Sequence, residues 1–258
     1  MAAEEELGLR AGIAMAQAMF TYTFGIVADS QGSEGKGLGS GVGVIWQGKY
    51  MIATAKHVIE DTPRERIYYL LPQDSLQIEE SSASMDWTRC KWQVRHSLEN
   101  PRILYSTTDD FAAIVLPEQL EDAGKRHFYE LDELHATPPV NTTIGHLGYP
   151  SARAQPFGEN YAATPCHSFG EICSPNCNYD LNREYAITYS PGPDLDPHGF
   201  SGSGAWYSRS EGVIWSPQIR LAGLVTNYYR KSQVLICCRI ERLTSFLAEN
   251  NAPLRIKE

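Results

Sequence analysis

The sequence predicts an all-β protein made of two six-stranded antiparallel β-barrels packed together, with a short N-terminal helix and a C-terminal helix. Two observations carry this prediction. Short apolar or alternating runs, each followed by turn-forming residues, occur in two sets of about six, which is enough for one small barrel per set. Between the sets lies a stretch rich in charge and proline, residues 118–139, which predicts the connection between the two halves.

The first half is predicted to comprise a helical extension over residues 1–20 and a barrel over residues 21–117. Its clearest element is a hairpin, because two apolar runs are separated by Gln47-Gly48-Lys49. The second strand of this hairpin is predicted to end on His57. The strands predicted for this half are 21–28, 42–46, 50–55, 66–71, 89–94 and 111–116.

The second half, residues 140–258, is predicted to form the other barrel and the closing helix. The helix is expected over 240–250, because apolar side chains recur there at helical spacing and Asn250-Asn251-Ala252-Pro253 ends the pattern. The strands predicted for this half are 141–147, 165–172, 184–189, 205–207, 220–226 and 234–240.

Composition and charge exclude several classes of function. A net charge of −9 argues against binding to nucleic acid or to acidic membrane surfaces. Residues 11–20 are apolar, but Glu4-Glu5-Glu6 stands where a secretory signal requires basic residues. No window reaches the roughly 20 apolar residues of a membrane span. We therefore expect a cytoplasmic protein without a membrane partner.

The cysteines are expected to be reduced thiols. The chain has six of them, and without a secretory signal an even count does not imply disulfides. Cys166, His167, Cys173 and Cys177 are close enough in sequence to suggest zinc, but the spacing matches no recognised zinc motif. We expect no metal and no cofactor. Cys237-Cys238 lies in a strand-like run, where at least one of the two side chains should face the core.

A glycine-rich run around Ser201 is the strongest candidate for chemistry. In Gly199-Phe200-Ser201-Gly202-Ser203-Gly204, three glycines bracket a serine, so the chain can make a tight turn whose amides face one pocket. A serine there presents its hydroxyl beside backbone N–H donors, as acyl transfer requires. Taken alone, the run is more typical of a flexible glycine-serine turn.

Two distant stretches change that interpretation. Thr54-Ala55-Lys56-His57-Val58 brings a histidine to the end of the predicted hairpin, and Asp109-Asp110 opens a continuous apolar run typical of a buried strand. Alone, His57 would be a structural histidine and the acidic pair a solvated strand end. A histidine with a pKa near 6.5 can serve as the base that a serine nucleophile needs, and a carboxylate can hold the histidine tautomer.

Together these three stretches resemble the chymotrypsin-like (trypsin-fold) serine proteases, in particular short bacterial trypsin-like peptidases without a PDZ domain. The motifs occur in the order His, Asp, Ser, and the resemblance extends from about Tyr22 to the C-terminus. It implies a serine endopeptidase with a covalent acyl-enzyme intermediate. His57 would be the base, Asp110 the orienting carboxylate and Ser201 the nucleophile, with Gly199 and Ser201 donating their amides to the oxyanion.

Three nearby residues compete for these roles. Adjacent strand residues point to opposite faces, so only one of Asp109 and Asp110 can face the histidine. The motif favours Asp110 and leaves Asp109 as a solvated neighbour. Ser203 falls where the family has a small residue lining the turn, and the His198 ring is expected to border the leaving-group side or solvent.

The substrate pocket and the mode of activation depart from digestive relatives. The pocket positions implied by the resemblance are Leu195, Thr226, Asn227 and Tyr228, which predict small or modest apolar P1 residues unless a one-residue shift brings a flanking aspartate to the floor. Phe200 replaces the aspartate that pairs with a freed N-terminus in zymogens. The serine loop must therefore be ordered by packing or by a regulatory protein partner.

Other classes of function remain as alternatives. A catalytically idle trypsin-fold protein used for binding or as a scaffold would carry the same motifs. An α/β-hydrolase needs G-x-S-x-G, but the residue two after Ser201 is Ser203. Residues 35–43 match neither glycine-rich nucleotide motif. The expected partner is thus a peptide or protein substrate.

Overall fold

The computed structural model describes residues 2–28, 37–71, 93–94, 96–97, 101–116, 126–132, 135–151, 154–157, 160–163, 165–175, 177–190, 196–209 and 218–251. The elements of the first half are α1 (Ala2–Tyr22), β1 (Thr23–Ala28), β2 (Gly37–Trp46), β3 (Lys49–Thr54), α2 (Lys56–Ile59), a 3-10 helix (Arg64–Arg66), β4 (Ile67–Leu70), β5 (Gln93–Val94), β6 (His96–Ser97), β7 (Arg102–Tyr105), β8 (Ala112–Val115) and β9 (Tyr129–Glu130). Those of the second half are β10 (Thr143–Gly148), β11 (Ala154–Phe157), β12 (Asn160–Ala163), β13 (Cys166–Cys173), β14 (Glu184–Thr188), β15 (Gly204–Arg209), β16 (Gln218–Tyr229), β17 (Val234–Arg239) and α3 (Ile240–Asn251).

The first half forms one large sheet. Its antiparallel strands follow the order β6-β4-β1-β2-β3-β8-β7, and β9 pairs with β2 in parallel. The predicted hairpin is present, and it turns over Gln47 and Gly48 with φ of 50° and 77°, as expected for a type I′ turn. Over the described residues this half is an open sheet, or half-barrel, because its two edge strands, β6 and β7, do not pair with each other. The strands β6, β7 and β9 were not predicted.

The second half is a closed six-stranded barrel in the order β10-β13-β14-β17-β16-β15. The predicted all-β class, with its two β-halves and two terminal helices, is confirmed. A separate sheet of β11, β12 and β5 was not predicted. Part of the predicted strand 89–94 belongs to it, since β5 pairs with β12 of the second half. Residues 89–92 lie outside the described residues.

The main apolar core lies between the two halves and includes both terminal helices. Met19 of α1, Val44 of β2, Trp206 of β15 and Leu243 of α3 are at most 1% exposed and belong to the same buried cluster. Burial of apolar surface at this junction therefore holds the two sheets together. This matters for the site, which takes residues from both.

Two element boundaries differ from the prediction for local reasons. Helix α1 continues to Tyr22, and the hydroxyls of Thr21 and Thr23 donate to carbonyls four residues earlier, which satisfies helical groups at its end. Strand β3 ends at Thr54, so His57 lies in the short helix α2 rather than on the strand.

The predicted linker, residues 118–139, contributes β9 to the first sheet, although residues 117–125 and 133–134 lie outside the described part. Cys173, Cys177, Cys237 and Cys238 form no disulfide among the described residues, and Cys90 lies outside them. Both Cys237 and Cys238 are buried. No helix in the described ranges has the length and apolar character needed to cross a bilayer.

Candidate active site

The structure brings His57 and Asp110 together. Asp110 follows β7 and directly precedes Phe111 and β8, and its carboxylate faces α2. The His57 Nδ1 atom lies 2.7 Å from Asp110 Oδ2, and the His57 backbone N–H donates to Asp110 Oδ1 at 3.1 Å. The carboxylate therefore holds the ring with its proton on Nδ1, which leaves Nε2 free to accept a proton.

These hydrogen bonds also set the charge of both groups. The hydrogen bond from Asp110 raises the pKa of His57 above its ordinary value, although burial lowers it in part. Burial raises the pKa of Asp110, but the hydrogen bonds and charge of His57 outweigh burial, so its pKa is lowered overall. Asp110 is thus ionised at neutral pH, and it stabilises a positive charge on the histidine.

Ser201 opens on the same cleft, on a loop anchored to the second barrel. The amide of Gly202 donates to the Val225 carbonyl at 2.7 Å, and the amide of Ser203 donates to the Phe200 carbonyl at 2.8 Å. The cleft has a volume of about 450 Å³. Its lining residues are His57, Asp110, Asp196, Pro197, His198, Phe200, Ser201, Val225, Thr226, Asn227, Tyr228 and Leu235.

The His57 ring and the Ser201 hydroxyl share this cleft but are not hydrogen-bonded to each other in the described structure. Such bonds are often long without substrate and tighten in the complex. Ser203, the competing serine, is fully buried, and its hydroxyl has no hydrogen-bond partner among the described residues. Of these two serines, only Ser201 is therefore accessible to a ligand in the cleft.

The turn before Ser201 sets the direction of the Gly199 backbone amide. The amide of Phe200 donates to the Pro197 carbonyl at 2.9 Å, and Gly199 has a φ of 101°, as in the third position of a type II turn. The His198 carbonyl accepts from the Ser151 amide at 2.8 Å, so the Gly199 N–H, on the opposite side of the same peptide, points away from Ser151. The amides of Gly199 and Ser201 donate to no acceptor within the described ranges.

Ser40 of β2 fixes this loop from the first half, a role that no sequence pattern indicated. Its hydroxyl donates to the Gly199 carbonyl at 2.8 Å and accepts from the Tyr149 amide at 2.9 Å. Its own amide donates to the Ser201 carbonyl at 2.9 Å. One fully buried residue therefore ties the turn that carries the Gly199 and Ser201 amides to the half of the chain that contains His57.

Phe200 holds the loop by packing. It is fully buried, and its ring lies 5.3 Å from that of His146 and 6.2 Å from that of Tyr189. An apolar contact within the second barrel thus stands at the position where zymogen-type relatives carry an ionic pair.

The wall of the cleft includes the pocket residues Thr226, Asn227 and Tyr228. The Tyr228 ring lies 5.5 Å from that of Tyr189 and meets it edge to face. Leu195, the predicted floor, lies outside the described residues. Asp196 lines the cleft as well, and its carboxylate lies 3.5 Å from the guanidinium of the exposed Arg230.

Asp109 is not the solvated neighbour that the sequence predicted. Its side chain is 5% exposed, and it pairs with Arg242 at 2.9 Å. The expectation failed because the partner is 133 residues away in sequence. The prediction that Asp109 and Asp110 face opposite ways agrees with this geometry.

Solved structures share this architecture. A serine endoprotease from Yersinia pestis matches 91% of the chain at 16% identity and a TM-score of 0.57, and the chain spans 65% of that protein. A protease from M. tuberculosis, in its active form, matches 93% of the chain and 85% of its own, at 16% identity and a TM-score of 0.53. The chain has the chymotrypsin-like serine protease fold. No family model and no curated protein matches its sequence.

This fold by itself does not decide between catalysis and binding. An inactivated protease paralogue of the scabies mite matches 90% of the chain and 95% of its own, at 13% identity and a TM-score of 0.59. The decision must come from the residues in the cleft. In this chain, a histidine, a carboxylate and an accessible serine all lie there.

Proposed function

We propose that this protein is a serine endopeptidase that hydrolyses peptide bonds through Ser201, His57 and Asp110. The observation that carries the proposal is the cleft in which the 2.7 Å contact between His57 and Asp110 lies beside an accessible Ser201 and two unpaired amides. The fold of the neighbouring proteases supports the same reaction class. A serine hydroxyl is a weak nucleophile near neutral pH, so all of these groups are needed together.

In the proposed reaction, His57 Nε2 accepts the hydroxyl proton of Ser201 as Oγ attacks the peptide carbonyl carbon. The negative charge that develops on the carbonyl oxygen is bound by the amides of Gly199 and Ser201. The imidazolium, stabilised by Asp110, then returns the proton to the leaving amine as the C–N bond breaks. Water hydrolyses the acyl-enzyme by the same steps, again with His57 as the base.

For the P1 side chain we propose small or modest apolar residues. Tyr228 stands on the wall of the cleft beside Tyr189 and limits its width. The competing feature is the Asp196 carboxylate, which would favour a basic side chain. That carboxylate is already paired with Arg230, although an exposed pair of this kind is weak.

The test is digestion of a proteome-derived peptide library by the purified chain. Cleavage by the native protein but not by Ser201→Ala would support the proposal, and the cleaved positions would give the P1 preference. Ser203→Ala is the matched control, because it removes a neighbouring hydroxyl that does not reach the cleft. A library left intact by the native chain would contradict the proposal.

The alternative is a catalytically idle binding or scaffold protein with the same fold. Two observations favour it: the described structure lacks a hydrogen bond between His57 and Ser201, and one neighbour in structure is an inactivated protease paralogue. A fluorophosphonate separates the two functions, because only a nucleophilic Ser201 should react with it. If a regulatory protein partner orders the Ser201 loop, the purified chain should hydrolyse peptides only after that partner is added.

A further inference from the structure

Asp109 is a buried carboxylate next to the proposed catalytic one. Its side chain is 5% exposed, whereas that of Asp110 is 39% exposed and faces His57. A carboxylate removed from water must be paired and hydrogen-bonded to remain charged. The surroundings of Asp109 meet this requirement.

Arg242 supplies most of that pairing in a fork-like geometry. Its Nη2 donates to Asp109 Oδ2 at 2.9 Å, and its Nε donates to Oδ1 at 3.4 Å. The Thr108 hydroxyl donates to Asp109 Oδ2 at 2.7 Å and accepts from Arg242 Nη2 at 3.3 Å. Both carboxylate oxygens are therefore engaged.

Arg183 adds a second cation from the same side. Its Nη1 lies 4.0 Å from Asp109 Oδ1 and donates to the Thr108 carbonyl at 2.6 Å. Its Nε lies 3.4 Å from Asp180, and its carbonyl accepts from the Arg239 amide at 2.8 Å. Arg183 is thus itself held within the second half.

The two arginines and the aspartate come from opposite halves. Arg242 lies on α3 and Arg183 just before β14, whereas Asp109 lies on the loop between β7 and β8 of the first sheet. Asp109 and Asp110 share a peptide bond, so a shift of one carboxylate displaces the other. A displacement of about 1 Å at a reacting group can reduce a rate by about 100-fold.

We propose that Asp109 is a positioning residue: its pair with Arg242 clamps the Thr108–Asp110 loop to the second half, and the clamp keeps both hydrogen bonds between Asp110 and His57. The effect of this pair on the rate of hydrolysis rests on the proposed function. Its effect on the His57 ring can be measured without any substrate. The C-terminal helix thereby contributes to the triad, although it does not line the cleft.

The test compares Asp109→Asn and Arg242→Gln by NMR titration of the His57 ring. If the clamp positions Asp110, both variants loosen its contact with His57, and both should lower the pKa of His57 by about 0.5 or more. If these charges act only through space, losing Asp109 lowers that pKa, whereas losing Arg242 raises it. The other charged groups that act on this pair, Glu60 and Lys56, stay unchanged.

Glu241→Gln is the matched control. Glu241 precedes Arg242 on α3. Its carboxylate accepts hydrogen bonds from the hydroxyl and the backbone amide of Thr137, at 2.7 and 2.8 Å, rather than from the Thr108–Asp110 loop. This variant should leave the pKa of His57 unchanged. A pKa that rises in Arg242→Gln, or that is unchanged in both folded test variants, would overturn the proposal. If Arg242→Gln does not fold, Arg242→Lys keeps the charge without the fork and should lower the pKa to a smaller extent.

Kinetics give an independent check. Asp109→Asn should reduce kcat by about tenfold or more with little change in KM. Added to Asp110→Asn, it should have almost no further effect, because it acts through Asp110. If the kcat reductions of the two single variants instead multiply in the double variant, the clamp is contradicted. If the native chain hydrolyses no peptide, the proposed function fails, while the NMR titration still decides the clamp.

Discussion

Acid should destabilise this protein through His146 on β10. Its side chain is fully buried, and neither ring nitrogen has a hydrogen-bond partner in the described structure. The ring contacts Tyr189 and Phe200, with centroids 5.5 and 5.3 Å apart. Burial, together with the nearby His167, lowers the pKa of His146 to about 3.

The size of the effect follows from proton linkage. An unfolded-chain histidine has a pKa of about 6.5, so between pH 6.5 and 3 the unfolded state binds a proton that the folded state does not. The free energy of unfolding therefore falls as the pH falls through this window. The loss from His146 is about 2 kcal/mol at pH 5 and approaches about 5 kcal/mol well below pH 3.

Urea unfolding at pH 8 and pH 5 measures this loss. His146→Leu replaces the imidazole by an apolar side chain of similar size, and it should make the decrease between the two pH values smaller by about 2 kcal/mol. If His146→Leu loses as much stability on acidification as the native chain, the reasoning is refuted.

Three further predictions concern the cleft. Ser201→Ala should reduce kcat by up to about 10⁶ while the circular dichroism spectrum is unchanged, and retained activity would exclude Ser201 as the nucleophile. Asp110→Asn should reduce kcat by roughly 10³–10⁴ near pH 7, because the histidine then adopts the wrong tautomer, and steady-state kinetics would show a smaller loss if that carboxylate is not the orienting group. Gly199→Val should lose at least about 10²–10³ in kcat, since a Cβ there would overlap the Tyr149 carbonyl oxygen and the φ of 101° is unfavourable for valine. Near-native turnover by that variant would contradict the proposed oxyanion site.

Local sequence was enough to predict the serine loop, and to place the strand before His57 to within a few residues. Three glycines within six residues allow the backbone to turn sharply, and Gly199 and Gly202 both have positive φ. The error at His57 is also local. No glycine, proline, asparagine or aspartate lies between Met51 and Ile59, so nothing in the sequence marked the change from strand to helix.

Weak strands were missed because their patterns are short or interrupted. β7 has four residues and directly follows Pro101 at the edge of the first sheet. β11 contains Pro156 and is an edge strand, the position in a sheet where proline is tolerated. Neither shows the longer alternation by which the barrel strands were predicted.

Contacts between distant segments could not be predicted from the sequence. The Ser40 hydroxyl meets a carbonyl 159 residues away, and Arg242 meets Asp109 across 133 residues. Each is an ordinary polar residue in its own segment, and only the docking of the two halves gives it a partner. The residues that position the chemistry are therefore harder to predict than those that carry it out.

We propose that Ser201 is an activated nucleophile on a loop that is ordered by the packing of Phe200 and by the hydrogen bonds of Ser40, without a bound partner. The most direct measurement is stoichiometric labelling of the unprocessed 258-residue chain by a fluorophosphonate, with the modified residue identified by peptide mass mapping. We expect close to one label per chain, on Ser201, with no prior cleavage and no added partner. A negligible labelled fraction, or a label on another residue, would contradict it.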